Sequence, residues 1–341
     1  MANTWQLVQA LLRLWLGSTV LAMIVAGGSY IILDYTRYGW VLLAAGISTI
    51  PFTVLTGYLE GFAMGSKAIP KINAGRLVNV VTYLARVLLL AGVLRLGAKG
   101  AIFALLTSLA VQSFVLLRAT LPHAGFALTV QPGLVSDLIR RGIPYAAGLL
   151  VFQLNSRINI LLLGYFVDRA DIGHFTIGVT LAELLWQLPT VLSFVIFAHG
   201  VSVTDQAKFS GQVWRAAWWF TVAAFGAAVI IAILVPYVVP LIYGDAYAPS
   251  VLVIWALLPG IVVAVAFKTL AGDLAARGRP LVGAGAFSVA LIVNVPLNLI
   301  LIPSHGVLGA AISSSISYCI GTLIFLQRYR SITNLSCFSR G

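Results

Sequence analysis

The chain has 341 residues, of which 60% are hydrophobic and 9% are charged, and its mean hydropathy is +1.02. Soluble domains carry about 25% charged residues, so these values exclude a water-soluble globular protein and indicate a protein of the bilayer. The net charge of +12 does not indicate nucleic-acid binding, because no basic cluster is interleaved with aromatic residues.

Apolar segments long enough to cross a bilayer follow one another along the chain. Aromatic residues such as Trp40, Trp214 and Tyr243 lie near the ends of these segments, as at a membrane interface. The sequence therefore predicts an all-α integral membrane protein with about ten transmembrane helices. The predicted spans are residues 8–33, 39–63, 74–95, 99–119, 143–166, 172–198, 214–241, 250–272, 281–302 and 307–328.

The basic residues are distributed unequally between the two sides of the membrane. Of the 21 lysines and arginines, 14 fall on one side, three lie within spans, and four fall on the other side, namely Arg37, Arg95, Lys99 and Arg169. By the positive-inside rule the first side is cytoplasmic. Both termini are therefore predicted to be cytoplasmic, which agrees with an even number of spans.

Spans one to four resemble spans seven to ten. Asp34 and Asp245 follow the first and seventh spans, and Gly97 and Gly306 precede the fourth and tenth at nearly the same offset. Parallel repeats of this kind relate two halves of a transporter, with the substrate path between them. We predict two pseudo-symmetric lobes of four and six spans, so that a hairpin is lacking before Met1. The predicted boundaries are 1–120 for the N-terminal lobe, 121–142 for a cytoplasmic linker, 143–330 for the C-terminal lobe and 331–341 for a cytoplasmic tail.

The fifth and sixth spans form a central hairpin with one full charge inside each helix. At a rise of 1.5 Å per residue, Arg157 and Glu183 lie roughly 13 and 17 Å from the outer ends of their spans. A charge at such depth costs about 2.5–3.5 kcal/mol and faces a partner or an aqueous cavity. One interpretation is a neutral ion pair that joins two helices. The other is that Arg157 clamps a pyrophosphate while Glu183 acts as a proton- or cation-linked switch.

Other polar residues inside the spans complete the predicted site. Arg86 lies near the middle of a span without acidic residues, which favours a cavity-facing position. Asn155 and Asn159 are predicted to bind sugar hydroxyls, with interhelical hydrogen bonds as the alternative. Glu60 and Lys268 lie near cytoplasmic span ends, where they snorkel or form an entrance-gate pair. No metal-ligand spacing, phosphate loop or nucleophile elbow occurs, so we predict neither a metal site nor an enzyme.

Short motifs recur near the ends of the later spans. They are Arg141-Gly142-Ile143-Pro144, Tyr243-Gly244-Asp245, Gly272-Asp273-Leu274 and Asn294-Val295-Pro296. Together they resemble the polysaccharide and O-antigen flippases of the multidrug/oligosaccharidyl-lipid/polysaccharide exporter superfamily, beginning at that family's third helix. The pattern departs at Asn159, where relatives often carry Asp.

The resemblance implies a bacterial cytoplasmic-membrane protein that moves an undecaprenyl-pyrophosphate-linked oligosaccharide to the outer leaflet, for O-antigen or lipopolysaccharide synthesis. It implies alternating access of two lobes, an H⁺ or Na⁺ gradient as the energy source, and other polysaccharide-assembly membrane proteins as partners. The alternatives are a small-molecule efflux carrier of the same superfamily, a membrane-embedded polymerase or ligase, and an inactive fragment. A carrier of organic cations is disfavoured because the spans hold more positive than negative charge. A polymerase or ligase is disfavoured because no external loop is long.

Overall fold

The computed structural model describes residues 4–32, 40–66, 68–120 and 133–333, and within these ranges the chain is helical apart from short connections, with no strand. The chain divides into two compact units, Met1–Arg140 and Arg141–Gly341. Asp34, most of the predicted linker and the predicted tail beyond residue 333 lie outside the described residues.

The first unit comprises α1 (Thr4–Ile32), α2 (Trp40–Gly65), α3 (Ile69–Val87) and α4 (Gly97–Thr120). Helix α3 has proline in its first turn, where the missing N–H has no helical partner to lose. It continues into a π-helical segment, Leu88–Val93.

Helix α4 packs on α2 and α3 and is joined to them by polar side chains. Asn79 Nδ2 donates to Gln112 Oε1 at 2.6 Å, and the hydroxyls of Thr56 and Ser113 lie 2.9 Å apart. Such bonds join helices where lipid gives no hydrophobic drive.

The second unit is built around one buried helix, α9. Helix α9 packs on α6, α7, α8 and α10, and Gly272 lets α7 approach closely, since a Cβ there would lie 2.2 Å from the Ser193 carbonyl oxygen. Two aspartates cap helices: Asp168 accepts from the N–H of Asp171 at the start of α6, and Asp205 caps α8. The helices are α5 (Leu134–Phe166), α6 (Arg169–Ala182), α7 (Gln187–Gly200), α8 (Gln206–Tyr243), α9 (Ser250–Ala276) and α10 (Leu281–Thr333).

The predicted sixth span is not one regular helix. A 3-10 turn, Glu183–Trp186, separates α6 from α7. Pro189 follows in the first turn of α7 and offers no N–H to the carbonyl of residue 185. The tightened turn begins at the charged residue Glu183.

Helix α10 contains the predicted ninth and tenth spans, joined at a non-helical residue. Gly306 has φ 55° and ψ −134°, so the helical path breaks there. Gly97, its counterpart in the predicted repeat, has φ 56°. Residues with a side chain rarely adopt positive φ, so glycine is required at both positions. The repeat itself stays a prediction.

The fold is the all-α membrane architecture that the sequence predicts. Among the described residues, eight helices are long and apolar enough to cross a bilayer by length and composition. The count of ten spans and the cytoplasmic placement of both termini stay predictions. Residues 134–142, the last part of the predicted linker, form the first turns of α5, and the predicted domain boundaries stay predictions. Leu134, Leu138 and Ile139 follow a helical spacing there, and Pro144 removes only one hydrogen bond from the longer helix.

Candidate functional site

Arg157 and Glu183 lie beside each other in the second unit, as one of the two interpretations predicts. Arg157 Nη2 is 3.5 Å from Glu183 Oε2, at the long limit of a hydrogen bond. The Arg157 side chain is 53% exposed and that of Glu183 is 19% exposed. Because a guanidinium has five N–H donors, this contact leaves most of them free for another acceptor.

Lys268 of α9 is the second cation near this carboxylate. Its ammonium lies 3.9 Å from the Phe152 ring centroid and 5.0 Å from that of Trp186. The Trp186 ring packs edge-on against Tyr318 at 5.2 Å. Trp186 belongs to the same 3-10 turn as Glu183, so the lysine lies near the carboxylate without forming an ion pair with it. The ring faces stabilise the ammonium, and the predicted snorkelling or entrance-gate role of Lys268 stays a prediction.

Asn155 and Asn159 form interhelical hydrogen bonds with two asparagines of α10. Asn294 Nδ2 donates to the Asn155 carbonyl at 3.0 Å, and Asn298 Nδ2 donates to Asn159 Oδ1 at 2.7 Å. Ser317 adds a bond to Asn155 Oδ1 at 2.8 Å. We call the four asparagines the asparagine ladder; each is at most 1% exposed. These contacts match the alternative interpretation, and a sugar-binding role for Asn155 and Asn159 stays a prediction.

The predicted residues of the first unit are not gathered into one cluster. Glu60 forms a two-pronged pair with Arg76, with N–O distances of 3.0 and 2.8 Å. Arg86, in the last turn of α3 before the π-helical segment, is partly buried. Its Nη1 is buried and finds no hydrogen-bond partner among the described residues. Asn79, on the same helix as Arg86, is bonded to Gln112 of α4.

A buried polar network where α8, α9 and α10 meet was missed by the sequence reasoning. Asp273 is 1% exposed. It accepts from the Tyr329 hydroxyl at 2.7 Å, from the Ser210 hydroxyl, and from Arg277 Nε at 3.3 Å. Arg277 also donates to the Gln206 carbonyl at 2.5 Å. The only sequence signal was the four-residue spacing of Asp273 and Arg277. Because its partners saturate the carboxylate, this network joins helices rather than offering a site for a ligand.

The described residues contain no group of three or more His, Cys, Asp or Glu side chains placed to hold a metal ion. The candidate site is therefore the group formed by Arg157, Glu183 and Lys268, which we call the charged triad. Its two cations and one carboxylate leave one net positive charge. Such a group suits an anionic ligand.

Comparison with known proteins gives the family. The sequence profile of a family described as polysaccharide biosynthesis protein matches residues 71–252, more than half of the chain. The chain belongs to this family. The matched range includes Arg86, Arg157 and Glu183, whereas Lys268 lies beyond it. No curated protein matches the chain in sequence.

Solved transporter structures share the fold of this polysaccharide biosynthesis protein. Lipid II flippase MurJ in an inward closed conformation aligns with a TM-score of 0.76 and 14% identity over 96% of this chain and 73% of that chain. The eukaryotic MATE transporter AtDTX14 aligns with a TM-score of 0.69 and 16% identity over 97% of this chain and 79% of that chain. A MOP superfamily transporter from Pyrococcus furiosus, described as having a binding pocket of reverse polarity, aligns with a TM-score of 0.69 and 15% identity over 96% of this chain and 77% of that chain. The protein thus has the fold of the multidrug/oligosaccharidyl-lipid/polysaccharide exporter superfamily and is a multi-pass membrane protein.

Proposed function

We propose that this polysaccharide biosynthesis protein moves a polyprenyl-pyrophosphate-linked oligosaccharide across the bacterial cytoplasmic membrane. Its family supports a role in making a polysaccharide, and the fold that it shares with a lipid II flippase supports a lipid-linked substrate. The finer assignment, an O-antigen precursor on undecaprenyl pyrophosphate, follows from the motif resemblance.

The observation that carries the proposal is the half-exposed guanidinium of Arg157 deep in a membrane helix. Glu183 holds it at 3.5 Å, longer than a charge-assisted bond of about 2.7–2.9 Å. A pyrophosphate presents adjacent oxygens that a guanidinium binds two at a time. An arriving anion therefore replaces a long contact by shorter ones.

The charge of the triad also bears on the alternative of an efflux carrier within the superfamily. A carrier of organic cations requires a carboxylate that is not neutralised by its neighbours. Glu183 instead pairs with Arg157, and a second cation, Lys268, lies against the ring of Trp186 in the same 3-10 turn. The excess positive charge favours a pyrophosphate over a cationic drug.

We propose that the two units move by alternating access and that an H⁺ or Na⁺ gradient supplies the energy, with Glu183 as the coupling residue. Arg86 supplies a second guanidinium, since its buried Nη1 has no partner among the described residues. Asn155 and Asn159 fix the register of α5 against α10, because their hydrogen bonds go to Asn294, Asn298 and Ser314 of that helix.

The experiment is replacement of Arg157 by alanine in cells whose surface polysaccharide depends on this protein. We expect lipid-linked sugar to accumulate on the inner leaflet and export to fall by about tenfold or more, equivalent to about 1.4 kcal/mol of lost binding. Arg157→Lys keeps the charge without the two-pronged geometry and is expected to fall in between.

Arg215→Ala, at an exposed position of α8, is the matched control for the loss of one positive charge. It should leave export unchanged. Normal surface polysaccharide from Arg157→Ala at normal protein levels would remove Arg157 from the mechanism.

A further inference from the structure

The two cations of the charged triad are held in different ways. Arg157 is 53% exposed and touches Glu183 at 3.5 Å. Lys268 lies against the faces of Phe152 and Trp186, which are 7% and 5% exposed. Arg157 therefore has N–H groups that do not point at the carboxylate, whereas the Lys268 ammonium is held against two buried rings.

The carboxylate cannot leave Arg157 without cost. If the guanidinium turns to a substrate anion, Glu183 loses its nearest cation inside the membrane region. An uncompensated charge there is strongly unfavourable. A second, fixed cation lowers this penalty, because the carboxylate keeps a compensating charge in both arrangements.

The local backbone links the carboxylate to the lysine. Glu183 and Trp186 are the first and last residues of the same 3-10 turn. Trp186 also donates its indole N–H to the Ile261 carbonyl of α9 at 3.1 Å, in the helix that carries Lys268. The turn thus fixes Glu183 relative to the lysine, while Arg157 comes from a separate helix, α5.

We propose that Lys268 is a positioning residue for anion binding, which holds Glu183 when Arg157 turns from the carboxylate to the pyrophosphate. This inference rests on the proposed function. It assigns Lys268 no contact with the substrate. Without the lysine charge, Glu183 stays on Arg157 and competes with the anion.

The test is a double-mutant cycle on the purified full-length protein, with a short-chain polyprenyl pyrophosphate as the probe in a calorimetric binding assay. Lys268→Met removes the charge and keeps an apolar stem for the rings. We expect it to weaken binding about tenfold, within the usual range for coupling between two sites. In the Glu183→Gln background the same change should alter the dissociation constant by less than about twofold, because the competing carboxylate is gone.

Three further variants complete the design. Lys268→Arg keeps the charge and should bind like the native protein. Lys268→Gln gives the same comparison if Lys268→Met is not recovered as a monodisperse protein. Arg215→Met removes a positive charge from the exposed part of α8 and should leave binding unchanged.

The outcomes separate the two proposals. If the native protein does not bind the probe, the proposed function fails and this inference fails with it. If the native protein binds but Lys268→Met weakens binding equally in both backgrounds, Lys268 contacts the anion itself and the inference is overturned. The inference is likewise overturned if Lys268→Met has no effect in the native background.

Discussion

Replacing Asp273 by asparagine should destabilise the second unit measurably. The carboxylate is 1% exposed and accepts from Tyr329, Ser210 and Arg277. Removing one partner of a buried ion pair costs about 3–5 kcal/mol. Here the loss is smaller, because the Arg277 side chain is 14% exposed, keeps its bond to the Gln206 carbonyl, and the asparagine oxygen still accepts from Tyr329. We expect about 2 kcal/mol, the range for a lost hydrogen bond to a charged group.

For a unit of this size, that free energy corresponds to a melting temperature lower by about 4–8 °C. The assay is thermal unfolding of the detergent-purified protein, followed by fluorescence-detected size exclusion. Asp245→Asn, an exposed aspartate in the turn before α9, is the matched control and should not change the melting temperature. Equal melting temperatures for the Asp273→Asn and Asp245→Asn proteins would refute the assignment of this network as a helix-joining contact.

Two further substitutions and one control are tested by the same melting assay. Gly272→Ala places a Cβ 2.2 Å from the Ser193 carbonyl oxygen and should lower the stability by about 1–3 kcal/mol. Its control, Gly285→Ala, meets nothing within 4 Å and should raise the stability by up to about 1 kcal/mol through helix propensity. A Gly272→Ala protein more stable than the Gly285→Ala protein would contradict the close approach of α7 and α9. Glu60→Gln breaks the ion pair with Arg76, whose side chain is 44% exposed, so the loss of stability should not exceed about 1 kcal/mol. A loss of stability as large as that of Asp273→Asn would show that the pair is more strongly coupled than its exposure indicates.

The helices were largely predictable because the length of an apolar run and its capping residues are local properties. Asp168, between the fifth and sixth predicted spans, is the N-cap of α6, and Gly306, before the tenth predicted span, has a positive φ. The 3-10 turn at Glu183 was not predicted, although Pro189 is visible in the sequence. A proline in a membrane helix is accommodated by a kink, a tightened turn or a neighbouring donor, and the choice depends on packing.

The candidate site was predictable in part. Arg157 and Glu183 could be paired from their similar depths on two consecutive helices. The environment of Lys268 could not be predicted, because it depends on how α9 is rotated about its axis. Helix α9 is apolar on nearly every side and gives no amphipathic signal for that rotation. The two rings against the lysine also come from different parts of the chain, Phe152 from α5 and Trp186 from the 3-10 turn before α7.

The asparagine ladder has a consequence for how α5 can move against α10. Asn155 and Asn159 are one turn apart, as are their partners Asn294 and Asn298, and the pairs run in the same direction along both helices. If α5 were displaced by one turn, about 5.4 Å, one of its two asparagines would lie opposite the other asparagine of α10, so that one of the two side-chain pairs could form again. A displacement of less than one turn would break both asparagine pairs and leave buried amides without hydrogen-bond partners. The ladder therefore resists sliding of α5 along α10, because any small displacement leaves buried amides without partners.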